Sequence, residues 1–179
     1  MTENKEWDTA IKYNKFLTKA REHIEIMKAR YNDLQLTEHD LETLGKIQNE
    51  LRILVIGNDR CNDSSGIIPI LARMDAAAPK VELRILDSDA NAQYHQQFKI
   101  NGKRKTPVVL FLSKELEELC RWVERPNAAY KVTNEGTNHS VEDRQKVLMK
   151  LYSDPEIQRQ CLNELMSLLI RADLILGRK

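Results

Sequence analysis

Leu51-Arg52-Ile53-Leu54-Val55-Ile56-Gly57-Asn58-Asp59-Arg60-Cys61-Asn62-Asp63-Ser64 begins as a short, nearly continuous apolar run that stops at Gly57. Such a run is expected of a strand buried on both faces. Cys61 follows in a polar turn, and from Ser64 to Ala78 the residues Ile67, Ile68, Ile70, Leu71 and Met74 recur with helical spacing. Pro69 stands close enough to the start of that helix to kink rather than abolish it. A strand, a cysteine-bearing turn and a helix are therefore predicted in that order.

Outward from this stretch, Val81-Glu82-Leu83-Arg84-Ile85-Leu86-Asp87 alternates and then turns apolar, a second strand, and Tyr94 and Phe98 mark one face of a short helix. A strand, helix, strand crossover requires the two strands to lie parallel in one sheet, with a right-handed connection. Asn101-Gly102 signals a turn, Pro107–Leu112 a third strand and Leu119–Val123 a fourth, joined through Ser113-Lys114-Glu115 as an antiparallel hairpin.

The flanks read as helices. Ala10, Tyr13, Leu17, Ala20, Ile24, Met27, Tyr31 and Leu34 recur in steps of three and four, which predicts one amphipathic helix over about residues 4–33. Its heptad character would suit a helix pair across a homodimer, although Ala and Tyr are weaker knobs than Leu or Ile. Thr37 is placed to cap a second helix carrying Leu41, Leu44 and Ile47. Beyond Pro126 a polar segment with Asn134, Gly136, Asn138 and His139 reads as a loop, and Ser140 and Asp154 as caps of two more helices, with Pro155 at the first position of the last. The division is an N-terminal helical extension over 1–50, a core over 51–126 and C-terminal helices over 127–179.

Composition narrows the function classes. Lys plus Arg number 28 against 27 Asp plus Glu, a net charge of +1, so no global field recruits nucleic acid or a membrane surface. The basic run Lys103-Arg104-Lys105 lacks interleaved aromatic residues that would stack bases. The charged opening residues and the lack of any run near ~20 apolar residues lead to the expectation of a soluble cytoplasmic protein. Cys61, Cys120 and Cys161 are odd in number and far apart, which predicts reduced thiols; His23, His39, His95 and His139 are scattered, and no metal site is expected.

The order of elements, with Cys61 in the first turn and Thr106-Pro107 opening the hairpin, resembles the thioredoxin superfamily. The resemblance covers about residues 51–126: Arg60-Cys61-Asn62-Asp63-Ser64 occupies the place of the Trp-Cys-x-x-Cys turn, and Thr106-Pro107 that of the cis-proline facing it. Glu82–Asp89 and Leu119–Pro126 resemble a bacterial and archaeal thioredoxin-like group. The implied fold class is α/β, a βαβαββ core with a mixed four-stranded sheet and helical extensions at both ends. In such a fold the first cysteine stands at a helix N-terminus, where free N–H groups and the helix dipole favour a thiolate.

Ser64 replaces the resolving cysteine, so an internal dithiol cycle at this motif is impossible. A mixed disulfide needs only the first thiolate, with an outside thiol to release it, the logic of monothiol glutaredoxins. Asn62-Asp63 differs from the Gly-Phe usual there, and no cofactor is expected. In the oxidoreductase reading Cys61 is the nucleophile, the Ser64 hydroxyl bonds sulfur, Pro107 shapes the groove, and Arg60, Asp63, Lys105 and Thr106 contact a protein or low-molecular-weight thiol or disulfide. The Lys103–Lys105 run would lie at the rim, where it attracts the carboxylates of a thiol peptide such as glutathione. The alternative is a non-catalytic thioredoxin-like interaction module, with Cys61 a remnant. Cys120, two strands from the first, and Cys161, on an apolar helix surface, read as packing residues.

Overall fold

The computed structural model describes residues 5–135 and 140–177. The loop residues Gly136, Asn138 and His139 lie outside the described residues.

Four strands, β1 (Leu51–Gly57), β2 (Val81–Asp87), β3 (Val108–Leu112) and β4 (Glu118–Val123), form one sheet in the order β2-β1-β3-β4. β1 and β2 are parallel, with Leu51 opposite Val81 and Gly57 opposite Asp87, while β3 runs antiparallel to both β1 and β4. The parallel pair is joined by α5 (Asn62–Ala77), and the short α6 (Ala92–His95) follows β2. β1 is central, which is why its sequence is apolar on both faces. Ile53 and Val55 join one core cluster with Ile67, Ile68 and Leu71 of α5 and Leu162, Leu165 and Leu169 of the long α9 (Pro155–Ile175). Leu54 and Ile56 join another with Trp7, Leu86, Phe98 and Leu110. This is the expected α/β fold, with a βαβαββ core and a mixed sheet.

The N-terminal region departs from the reading of one helix over 4–33. It forms α1 (Lys5–Thr9), α2 (Tyr13–Lys19) and α3 (Ile24–Asp33). The first break lets Ile11 pair with the edge of β2: its N–H donates to the Ile85 carbonyl at 2.9 Å, and the Ile85 N–H donates back at 2.8 Å. Two backbone groups at an otherwise open sheet edge thereby gain partners. The second break falls at His23, whose φ of 55° is left-handed and incompatible with a continuing helix. The apolar stripe survives both breaks because Tyr13, Met27 and Leu34 are buried in the chain's own core, with Leu17, Ala20 and Tyr31 packed against it.

α4 (Glu38–Gly45) starts with a reciprocal capping box between Thr37 and Asp40. Asp40 also accepts from Arg159 of α9 at 2.7 Å; although burial opposes its ionisation, Arg159 and the Thr37 bonds hold its carboxyl below the usual range. After Pro126 the segment read as loop begins instead with α7 (Asn127–Asn134), which buries Ala129 and Thr133. α8 (Val141–Leu151) and α9 carry the expected caps, Ser140 accepting from the Asp143 N–H and Asp154 from the Glu156 N–H. Among the described residues no helix is long and apolar enough to cross a membrane.

Candidate active site at Cys61

Asn58 builds the turn that presents Cys61. Its Oδ1 accepts the N–H groups of Arg60 at 3.1 Å and Cys61 at 3.0 Å, and its Nδ2 donates to Ser88 Oγ beyond β2. Asp59 ties the same turn to the chain between α2 and α3, accepting from the N–H groups of Arg21 at 2.6 Å and Glu22 at 3.0 Å. Neither residue was singled out by the sequence reading; an Asn-Asp pair directly after a buried strand is the signal that could have done so.

Cys61 is the N-cap of α5, and its half-buried Sγ accepts the Ser64 N–H at 3.4 Å. On the other side it donates to the Thr106 carbonyl at 3.5 Å, next to a Thr106-Pro107 peptide bond that is cis. The structure thus brings Cys61, Ser64, Thr106 and Pro107 together. The contact with Ser64 is a correction: it is the backbone N–H, not the hydroxyl, that meets sulfur. The buried Ser64 Oγ has no hydrogen-bond partner among the described residues and lies against Gly57, where a Cβ would come within 3.0 Å of it. Gly57 is the residue that lets the first turn of α5 approach the end of β1 so closely.

Three other expected contacts are directed elsewhere. Arg60 turns away from the sulfur to an exposed ion pair with Asp89. Lys105 Nζ bonds Glu124 Oε1 at 2.9 Å, which leaves Lys103 and Arg104 as the exposed members of the basic run. Asp63 faces inward, its carboxylate accepting from Tyr152 Oη at 2.5 Å and Arg125 Nη2 at 2.7 Å. Burial raises the Asp63 carboxyl above its ordinary range, against the pull of Arg125 and Tyr152. Arg125 itself is raised, because Asp63 and Glu124 outweigh the cost of burying its guanidinium. Arg30 braces the same turn from α3, donating to Ser65 Oγ at 2.8 Å, and burial lowers it to about 10.

On the α8 side of the turn a shallow depression of about 690 Å³ is lined by Arg60 and Asn62, which flank Cys61 in sequence, and by Gln145, Lys146, Met149 and Lys150 among others; Cys61 itself is not part of its lining. Asn62 Nδ2 forms part of its wall by donating to Gln145 Oε1 at 2.7 Å. Among the described residues no group of three or more His, Cys, Asp or Glu side chains could hold a metal ion.

The other thiols lie elsewhere. Cys120 is in β4 and donates to the Leu168 carbonyl of α9 at 3.3 Å; burial pushes its thiol up to about 11. Cys161 is fully buried in the core, and burial pushes it up to about 12. Because the folded state raises that thiol above its unfolded value of ~8.5, its contribution to stability is complete below that pH and declines as pH rises toward about 12. Cys161→Ala should therefore make the fall of unfolding free energy between roughly pH 9 and 11 shallower by about 1 kcal/mol per pH unit in urea titrations. An unchanged slope would mean that burial does not hold this thiol neutral.

A thioredoxin family model matches residues 10–144 of this sequence. The chain belongs to the thioredoxin family. The match starts before α2 and ends within α8. No curated protein matches. A crystal structure of a Pseudomonas aeruginosa protein of unknown function is similar at a TM-score of 0.71 and 20% identity, covering 92% of this chain and 95% of that one. An HIV epitope scaffold is similar at a TM-score of 0.69 and 20% identity, covering 92% of this chain and 94% of that one. At that identity both likenesses concern the thioredoxin-like fold alone.

Proposed function

We propose that this thioredoxin family protein is a monothiol thiol–disulfide oxidoreductase that acts through Cys61. The observation that carries the reading is the placement of one half-exposed sulfur at the cap of α5, between the Ser64 N–H and the Thr106 carbonyl. The Cys61 thiolate attacks one sulfur of a substrate disulfide, the S–S bond breaks, and the second sulfur leaves as a thiolate. The Ser64 N–H that bonds the thiol is already aimed at the attacking anion. An external thiol then attacks the mixed disulfide, freeing Cys61 and leaving with the substrate half as a new disulfide. Pro107 walls the groove, backbone beside Thr106 pairs with an extended substrate, and the depression toward α8 leaves room for its remainder.

The test compares the three thiols in the intact chain. At pH 8, Cys120 and Cys161 hold on the order of 10⁻³ or less of their thiols ionised, as follows from values of about 11 and about 12. Iodoacetamide should therefore label either of them at least ~100-fold more slowly than it labels a free cysteine, and the half-exposed Cys61 should carry nearly all of the label, as read by peptide mass spectrometry. An aromatic disulfide with a chromogenic leaving thiol should release one equivalent from the wild type and none from Cys61→Ser. Release unaffected by Cys61→Ser would remove the proposal and leave a thioredoxin-like scaffold.

A further inference from the structure

An alternating chain of charges runs beneath the site and ties its two halves together. Asp63, in the first turn of α5, bonds Arg125 Nη2 at 2.7 Å. The same nitrogen lies 3.0 Å from Glu124 Oε1, which also receives Lys105 Nζ at 2.9 Å. Lys105 is the residue before Thr106, and the Glu124 N–H donates to the Pro107 carbonyl at 2.8 Å. The interior of the chain is sheltered from water: the side chains of Asp63, Glu124 and Arg125 are 5%, 7% and 14% exposed. Tyr152 Oη on Asp63 and Tyr130 Oη on Glu124 occupy further lone pairs of the two carboxylates, and Arg125 Nη1 reaches Thr133 Oγ1 at 3.3 Å. Glu124 adopts a φ of 66°, a left-handed conformation costly for a non-glycine residue, at the point where the chain leaves β4.

We propose that Arg125 is a positioning residue for Cys61: its guanidinium, held between Asp63 and Glu124, fixes the Cys61 turn against the Thr106-Pro107 loop. The inference deepens the thiol-exchange reading and rests on it. A guanidinium can donate in fixed directions to two carboxylates at once, which an ammonium does with far less directional control. One of those carboxylates belongs to the helix that carries the nucleophile, the other to the strand end that is bonded to the loop facing it. Exchange requires the attacking sulfur to line up with the substrate S–S bond while the substrate lies along that loop. Alkylation by a small reagent requires only that the sulfur be reachable.

The experiment uses the full chain with Arg125→Met, Arg125→Lys and Tyr130→Phe, the last removing one hydroxyl from Glu124 while keeping all four charges. For each variant shown to be folded by circular dichroism at 25 °C, two Cys61 rates are measured, one with a cystine-bridged peptide and one with iodoacetamide. In Arg125→Met the exchange rate should fall about 10- to 30-fold, since small misplacements of reacting groups carry penalties of that order, while alkylation changes less than about 3-fold. Arg125→Lys should recover part of the loss. If Arg125→Met does not fold, Tyr130→Phe decides, with an expected loss of about 3-fold in exchange alone. Unchanged exchange in the folded variant under test, or parallel falls in both rates, would overturn the positioning role. A wild type that alkylates at Cys61 but exchanges with no disulfide would instead overturn the proposed function. The crystal structure of the folded variant then settles the inference: lengthening of the 3.5 Å Cys61 Sγ to Thr106 O contact by about 1 Å or more supports it, and no change overturns it.

Discussion

Replacing Gly66 by alanine is expected to destabilise the protein by about 3 kcal/mol, seen as a lower urea midpoint with an unchanged slope. Gly66 lies on the buried side of α5, and a Cβ there would stand 2.8 Å from Cδ2 of the Tyr152 ring and nearer still to Cγ and Cδ1. Real carbon contacts require roughly 3.5–4.0 Å, so either the helix or the ring must move. The ring has little freedom, because Tyr152 is 1% exposed and its hydroxyl is bonded to Asp63. Alanine recovers about 1 kcal/mol of helix propensity, and the quoted cost is what remains after that gain. The same substitution in a Tyr152→Ala background should cost nothing or stabilise, because the obstacle is gone and the propensity gain remains. A loss below about 1 kcal/mol in the otherwise natural protein would show that the ring yields cheaply.

Asp173→Ala is expected to cost about 2–3 kcal/mol for a different reason, the loss of a buried carboxylate that accepts from several part-buried donors. Asp173 lies near the end of α9 and is fully buried. Its Oδ1 accepts from the N–H groups of Gln48 at 3.1 Å and Asn49 at 2.9 Å and from Asn49 Nδ2 at 2.9 Å. These donors belong to the connection that feeds β1, so the carboxylate fastens the last helix to the start of the central strand. Alanine leaves them facing a space that has lost its acceptor, whereas Asp173→Asn keeps one carbonyl and should cost about half as much. Hydrogen exchange at Gln48 and Asn49 should accelerate in Asp173→Ala well beyond the global change in stability. Equal protection in the two proteins would mean that other groups satisfy those amides.

The strands and the cysteine-bearing helix were legible because their burial is written in short periods. β1 is apolar on both faces since both are covered, and the alternation of Val81–Asp87 reports one face more buried than the other. The N-terminal helices were not legible as three. No Gly or Pro marks the breaks at Ile11 and His23, and the apolar stripe crosses both with its spacing intact, since the same side of the chain keeps meeting the core. At the site, Cys61 and Pro107 could be paired through the resemblance to thioredoxins, but the route taken by Asp63 could not be read at all. Its partner Arg125 lies 62 residues away and Tyr152 lies 89 away, and no local period encodes a contact across that distance. The Ser64 hydroxyl was misplaced for a related reason: composition places an oxygen near sulfur, whereas the close approach to Gly57 directs it elsewhere.

The bridge between Ile11 and Ile85 bears on how copies of this protein behave toward one another. A four-stranded open sheet has two margins at which a foreign strand can add, and uninterrupted margins template polymerisation. At the β2 margin, Ile85 has already given its N–H and C=O to Ile11, so an incoming strand meets a gap in the middle of the ladder. At the opposite margin, β4 pairs through an irregular register near Phe111 and Leu112 and presents the charged pair Glu118 and Arg121. A short stretch of extended chain between two N-terminal helices thus acts as a guard against self-templated growth, leaving the sheet without a clean ribbon of amides for another copy to copy.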